Sequence, residues 1–258
     1  MEQIEITPIP ALNDNYIWIV ISIAQHTALV IDPGDATPVI DFLTKHQLSL
    51  QAILITHHHW DHVNGISELL HHFDIPIYAS AKEKLPSTTM PLYDDNEVRI
   101  STFPIVFHVL AIPGHTSGHI AYYSPGMLFC GDTLFAAGCG KLFEGTAAQM
   151  YASLQKIAAL PFDTKIYCAH EYTLNNLRFA QTVEPHNSKI LERIQRVTTL
   201  RNKKLPSLPS TLQEELETNP FLRCKSPELK ANVEAYAHQH LQDPMEIFSW
   251  LRKWKDNF

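Results

Sequence analysis

Thr56-His57-His58-His59-Trp60-Asp61-His62 follows the apolar run Ala52-Ile53-Leu54-Ile55. The apolar run predicts a buried strand. Its exit places four histidines and one aspartate within six positions. Neutral imidazole and carboxylate are the donors that zinc and other borderline divalent ions accept. Side chains alternate along an extended segment, so His57 and His59 point to one side and reach one ion, while His58 points away. Asp61 and His62 come where the chain turns into the next helix, and reach toward a second ion. The device then recurs. Val109–Ile112 runs into Pro113-Gly114-His115, Met127–Cys130 into Gly131-Asp132, and Lys165–Cys168 into Ala169-His170. A sheet whose strands each end in one donor delivers side chains from distant sequence to one mouth. Five histidines and two aspartates are too many for one tetrahedral ion and fit two, with Asp132 shared. Asp32, in the turn Asp32-Pro33-Gly34-Asp35, reads as a turn carboxylate or a partner to a ligand.

The bulk composition agrees with an ordinary globular chain of 258 residues, 45% hydrophobic and 18% charged. Its net charge of -7 with histidine neutral argues against a dedicated nucleic-acid binder, whose affinity comes mainly from cations on phosphates. No apolar run approaches the roughly 18 residues of a membrane helix. The opening Met1-Glu2-Gln3-Ile4-Glu5 lacks a basic leader region. Cys130, Cys139, Cys168 and Cys224 have no paired short spacing, so buried thiols of a cytoplasmic protein are expected. Charge is uneven: residues 1–170 hold seven basic against sixteen acidic residues, net -9, and residues 171–258 hold thirteen against eleven, net +2. A domain boundary is expected there.

Hydrophobic spacing fills in the elements. Ile17–Ile23 and Ala28–Ile31 predict a hairpin, and 38–45 a helix. Val63, Ile66, Leu69, Leu70 and Phe73 predict one helix over 63–73. Further strands are expected at 75–79, 98–101, 105–112, 119–123, 127–130 and 165–169, with a helix at 147–159. Beyond 170 the spacing is helical at 172–183 and 187–204. Ser210 or Thr211 is expected to cap a short helix, and Ser226-Pro227 and Asp243-Pro244 each place a cap before proline. Arg252 and Lys255, three apart, share one face of the last helix, opposite Ile247, Leu251 and Trp254. The expected fold class is α/β, a sheet-based domain over 1–170 followed by a smaller helical domain over 171–258.

Longer strings sharpen this. The HxHxDH pattern at 57–62, Pro113-Gly114-His115-Thr116, Gly131-Asp132-Thr133 and Ala169-His170-Glu171 resemble, in order, the motifs of the metallo-β-lactamase superfamily. Asn15-Tyr16-Ile17-Trp18, Asp132-Thr133-Leu134-Phe135 with Gly138-Cys139-Gly140-Lys141, His170-Glu171-Tyr172-Thr173 and the terminal 251–256 resemble one family within it, glyoxalase II or hydroxyacylglutathione hydrolase, over essentially the whole chain. The resemblance implies an αββα sandwich with two divalent metal ions, zinc first, iron or manganese equally compatible with the donors. It implies His57, His59 and His115 on one ion, Asp61, His62 and His170 on the other, and Asp132 bridging. It further implies a hydroxide shared by the ions, Asp61 helping to orient it, and Lys141, Tyr172, Arg252 and Lys255 on the glutathione part of the substrate. The family often carries a tyrosine two residues after the Lys141 position; here it is Phe143. The implied reaction is hydrolysis of S-D-lactoylglutathione to glutathione and D-lactate, the second step of methylglyoxal detoxification, by a cytoplasmic monomer without nucleic-acid or membrane partners. The alternative is a persulfide dioxygenase or another hydrolase of the superfamily.

Overall fold

The computed structural model describes residues 3–85 and 87–258. Met1 and Glu2, the start of the segment expected to lack a basic leader region, lie outside the described residues. Two compact units are present, Met1–Ala111 with Gly118–Gly131, and Ile112–Ser117 with Asp132–Phe258. They divide the chain differently from the change of composition near residue 170, because units gather segments by packing and not by chain order.

In the first unit, strand β1 (Ile4–Ala11) pairs antiparallel with β2 (Asn15–Ser22), and β2 with β3 (Thr27–Ile31). Helix α1 (Thr37–His46) then returns the chain to β4 (Ser49–Leu54), which lies parallel to β3. After α2 (Trp60–Val63) and α3 (Ile66–His72), β5 (Ile77–Ser80) and β6 (Met90–Leu92) add on in parallel. Ile17, Ile19 and Ile21 of β2 pack with Val39 and Leu43 of α1 and Ile66 and Leu69 of α3. The alternate residues Trp18, Val20, Leu29 and Ile31 are also buried, so this sheet is covered on both faces. That explains its continuous apolar runs. Four further strands, β7 (Glu97–Arg99), β8 (Val106–Ala111), β9 (Ile120–Ser124) and β10 (Met127–Gly131), form an antiparallel meander. Tyr122 of β9 ties the two sets of strands together, donating its hydroxyl to the carbonyls of Ile55 and Tyr78, both at 2.9 Å.

Where one helix was expected over 63–73, the chain forms two short ones. Asn64-Gly65 interrupts them, and Gly65 packs so closely on Pro33 and Ala36 that a Cβ would lie 2.6 Å from their main-chain atoms. Strand β1 was not anticipated, because Pro8 and Pro10 argue against a strand; they are tolerated on an edge.

The second unit carries a short hairpin, β11 (Leu134–Phe135) with β12 (Gly138–Cys139), then α4 (Ala147–Ala158) and β13 (Lys165–Cys168). Helices α5 (Thr173–Val183) and α6 (Ser188–Asn202) follow, then β14 (Ser210–Thr211), paired antiparallel with β13, and α7 (Leu212–Thr218). Helices α8 (Pro227–Ala237) and α9 (Pro244–Asp256) end the chain. The expected caps are in place: Thr211 accepts from Glu214 N, Ser226 from Leu229 N, and Asp243 from Met245 N and Glu246 N. Among the described residues no helix is long and apolar enough to cross a membrane.

Candidate metal centre and substrate pocket

Donors gather in each unit, at the ends of strands. In the first unit the chain leaves β4 in an extended path, and His57 Nε2 meets His59 Nδ1 at 3.1 Å. Two ligands about 2.0–2.1 Å from a tetrahedral zinc are roughly 3.3 Å apart, so this spacing suits a shared ion. His58 turns away, as alternation requires, and pairs with the buried carboxylate of Glu83. His62 Nε2 stands 3.6 Å from Asp61 Oδ2. Asn15 steadies Asp61, donating Nδ2 to its carboxylate at 3.1 Å and to its carbonyl at 3.3 Å. His71 and His72, on α3, are exposed.

Asp32 organises this half. Held at φ +53°, it accepts from Thr56 N at 2.8 Å and from Thr56 Oγ1 at 2.7 Å. The Thr56 hydroxyl has one proton, given to Asp32, so at 3.0 Å from His57 Nδ1 it acts as acceptor. His57 therefore carries its proton on Nδ1 and presents Nε2. A carboxylate only accepts, so His62 Nδ1 likewise donates to Asp32 Oδ2 at 3.0 Å, leaving its Nε2 as the donor to metal. Asp32, His57 and His62 each bring one ligand atom to within 4.8 Å of the others. His119, buried just before β9, stacks on His57 with centroids 4.6 Å apart. Gly131 is required beside them: at φ +48° its Cβ would lie 2.3 Å from Thr56 Oγ1. Replacing Asp32 by asparagine is expected to weaken divalent-ion binding by about 10- to 100-fold. Competition against a chromophoric chelator measures this, and unchanged affinity would reduce Asp32 to a turn residue.

In the second unit, His115 gives its Nδ1 proton to Lys141 O at 2.8 Å and so presents Nε2. That nitrogen is 3.4 Å from Asp132 Oδ2, while His170 Nε2 is 3.3 Å from Asp132 Oδ1. One carboxylate thus addresses two imidazoles through different oxygens, at ligand-to-ligand spacing. All three side chains are buried. Tyr172 stacks on His170 at 4.7 Å and 4°. With Nδ1 of His57, His62 and His115 each tied to protein, the donor set fits divalent ions in kind and in orientation.

A cavity of about 370 Å³ in the second unit is lined by His115 and Asp132, by Lys141 and Tyr172, and by Arg252 and Lys255. Six residues singled out from sequence thus share one pocket. Phe143, also on it, lies edge-on to His115 at 5.2 Å. Helical spacing sets Arg252 opposite the apolar stripe of α9, yet it does not face solvent. It is buried, donates to Cys139 O at 2.9 Å and bonds Asp256 one turn on. Burial pushes the Cys139 thiol up to about 11 against the opposing pull of Arg252, so no thiolate nucleophile forms there at neutral pH. Burial first, and then the neighbouring Arg252 charge, lower Lys255 to about 8. Lys255 is therefore cationic below about pH 8 and neutral above it. KM for an anionic substrate is expected to climb as pH passes 8 with kcat less affected. In Lys255→Arg, charged throughout, that climb should vanish; a climb that persists assigns it to another group.

Comparison with known proteins agrees with this geometry. Residues 12–170 match the model of the metallo-beta-lactamase superfamily, and 171–258 the model of the hydroxyacylglutathione hydrolase C-terminus. Among solved structures, the BLEG-1 B3 metallo-beta-lactamase aligns with a TM-score of 0.64 at 25% identity, over 85% of this chain and 99% of its own. ETHE1 from Myxococcus xanthus aligns at 0.66 over 98% of both chains, and at 23% identity shows the fold alone. The chain belongs to the metallo-beta-lactamase superfamily, with that domain followed by a helical C-terminal region. Relatives named hydroxyacylglutathione hydrolase narrow this further. One from Nitrosomonas eutropha is 49% identical over 99% of this chain and 100% of its own, and one from Aeromonas hydrophila is 53% identical over 97% and 98%. Within the superfamily it is a member of the hydroxyacylglutathione hydrolase family.

Sequence reasoning missed Thr56, Asn15, Glu83 and the Cys139 carbonyl. Thr56 precedes the histidine run directly, and its place between Asp32 and His57 is set by the parallel β3–β4 pairing, which sequence alone does not reveal.

Proposed function

We propose that this chain is a thioester hydrolase that cleaves S-D-lactoylglutathione, and related 2-hydroxyacyl conjugates, to glutathione and the free acid. The observation that carries the proposal is the pocket on which donors to metal and fixed cations meet, His115 and Asp132 with Arg252 and Lys255. Glutathione thioesters carry carboxylates, which charge-assisted hydrogen bonds from Arg and Lys recognise. His57, His59 and His115 would hold one ion, Asp61, His62 and His170 a second, and Asp132 both. The donors are compatible with zinc, and with iron or manganese. Two divalent ions held there would supply a nucleophile at neutral pH and polarise the thioester carbonyl. The chain's own residues do the rest. Asp61, steadied by Asn15, orients what attacks, and Lys141, Tyr172, Arg252 and Lys255 hold the glutathione moiety. A thiolate leaves without a strong general acid.

By this reading residues 1–170 supply most of the metal chemistry and residues 171–258 most of the substrate contacts. A cytoplasmic monomer completes the proposal; the four cysteines are buried and form no disulfide among the described residues, as suits a reducing compartment. The dioxygenase alternative has less support, since full-length relatives at about half identity are named hydroxyacylglutathione hydrolase. The direct test of the glutathione contacts compares kcat/KM for S-D-lactoylglutathione with that for the same acyl group on N-acetylcysteamine. A preference of about 100-fold or more is expected; equal values would refute specific recognition of glutathione.

A further inference from the structure

The turn joining β11 to β12, Ala136-Ala137, is almost wholly buried, at 1% and 0% exposure. Turns ordinarily run over the surface, because a buried one holds main-chain groups that water cannot reach. Here side chains of the helical segments meet four of those groups. Asn176 donates to Ala136 O at 3.1 Å, and Ala137 N donates to Glu215 Oε2 at 2.8 Å. Asn219 Nδ2 donates to Phe135 O at 3.0 Å and to Gly138 O at 2.9 Å, and also contacts Glu215 Oε2 at 3.0 Å. Behind them Arg193 binds Glu215 Oε1 and Thr218 Oγ1, each at 2.6 Å. Ala137 is held at φ +55°, a conformation that a residue other than glycine keeps only where its surroundings enforce it.

Apolar packing over this turn would serve stability as well as a buried ion pair does, or better. What the polar cluster supplies is a fixed hairpin. Phe135 and Cys139 of that hairpin line the pocket, and Cys139 O seats the guanidinium of Arg252. Asp132 lies two residues before it and Lys141 two after, and Gly140 N closes its base on Thr133 O at 3.2 Å. We propose that Glu215 and Asn219 are positioning residues for substrate binding: through the buried hairpin they hold the pocket wall and the seat of Arg252. The proposal rests on the reading of the pocket as a glutathione-thioester site.

The test compares Asn219→Ala and Glu215→Gln with Glu184→Gln in the metal-replete enzyme. Glu184 is an equally buried carboxylate that bonds Arg223 and Ser226, not the hairpin. Hydrogen exchange of residues 133–141, followed without substrate, is expected to speed up about tenfold in Asn219→Ala and to stay at the wild-type rate in Glu184→Gln. KM for the thioester should rise about five- to twentyfold in Asn219→Ala, with kcat within about threefold. Glu184→Gln should lower the melting temperature and leave KM alone. A folded Asn219→Ala enzyme with wild-type exchange and wild-type KM overturns the proposal, even where Glu215→Gln does not fold. A wild-type enzyme that leaves the thioester intact overturns the functional reading instead, and the exchange measurement, which needs no substrate, tells the two failures apart.

Discussion

Asp132→Ala is expected to lower kcat by about a thousandfold or more and to leave the purified chain with fewer than two metal ions. The physical reason is its position between two imidazoles, one oxygen 3.4 Å from His115 Nε2 and the other 3.3 Å from His170 Nε2. A carboxylate so placed, assigned as the donor common to both ions, offsets the positive charge that they bring together. Alanine removes both donor atoms at once and leaves the remaining ligands to hold separate, weaker sites. Loss of a general fold would mimic this result. Circular dichroism and the melting transition of the apo protein separate the two, because the metal-free chain does not depend on the bridge. A variant that retains two ions and a kcat within tenfold of wild type would show that Asp132 is not shared.

The second large effect falls on binding. Replacing Arg252 and Lys255 together by alanine should raise KM for the glutathione thioester by about 100-fold, and lower kcat by much less. Charge-assisted hydrogen bonds are worth about 1.5–3 kcal/mol each, and two lost contacts at the lower end of that range sum to about 3 kcal/mol, an effect of that order. Their roles are not equal. Arg252 is buried and fixed by Cys139 O, so its guanidinium is oriented before the substrate arrives. Lys255 lies over the rings of Phe179 and Phe258 at 5.1 and 5.2 Å and is more exposed to the influence of pH. Lys255→Ala alone should therefore have the smaller effect, and one confined to pH below about 8. A double variant that loses kcat with KM unchanged would place these residues in the chemistry and not in binding.

Much of this was legible in residues. Each donor follows an apolar run, and the structure keeps that order: His57 beyond β4, His115 beyond β8, Asp132 directly after β10, His170 two residues after β13. Alternation alone separated His58 from His57 and His59, and His58 is indeed turned to Glu83. What remained hidden depends on contacts between distant segments. Helical spacing ranks Arg252 with Lys255, opposite the apolar stripe; its burial against Cys139 O, 113 residues away, has no local signal. The hairpin β11–β12 carries too few residues for a periodic signal, and its buried turn is specified by Glu215 and Asn219, which nothing nearby in sequence links to it. Asp32 reads equally as a turn carboxylate or as a partner to a ligand, and only the parallel pairing of β3 with β4 brings it to Thr56 and His62.

Bound divalent ions are expected to make this chain a glutathione-thioester hydrolase. Stripping the purified protein of metal, adding zinc, iron or manganese back in steps, and following thioester loss from S-D-lactoylglutathione tests it most directly. The stripped chain is expected to hydrolyse negligibly, and activity to rise with added metal until two ions per chain are bound. Full activity in the stripped protein, or an intact thioester at two bound ions per chain, would contradict it.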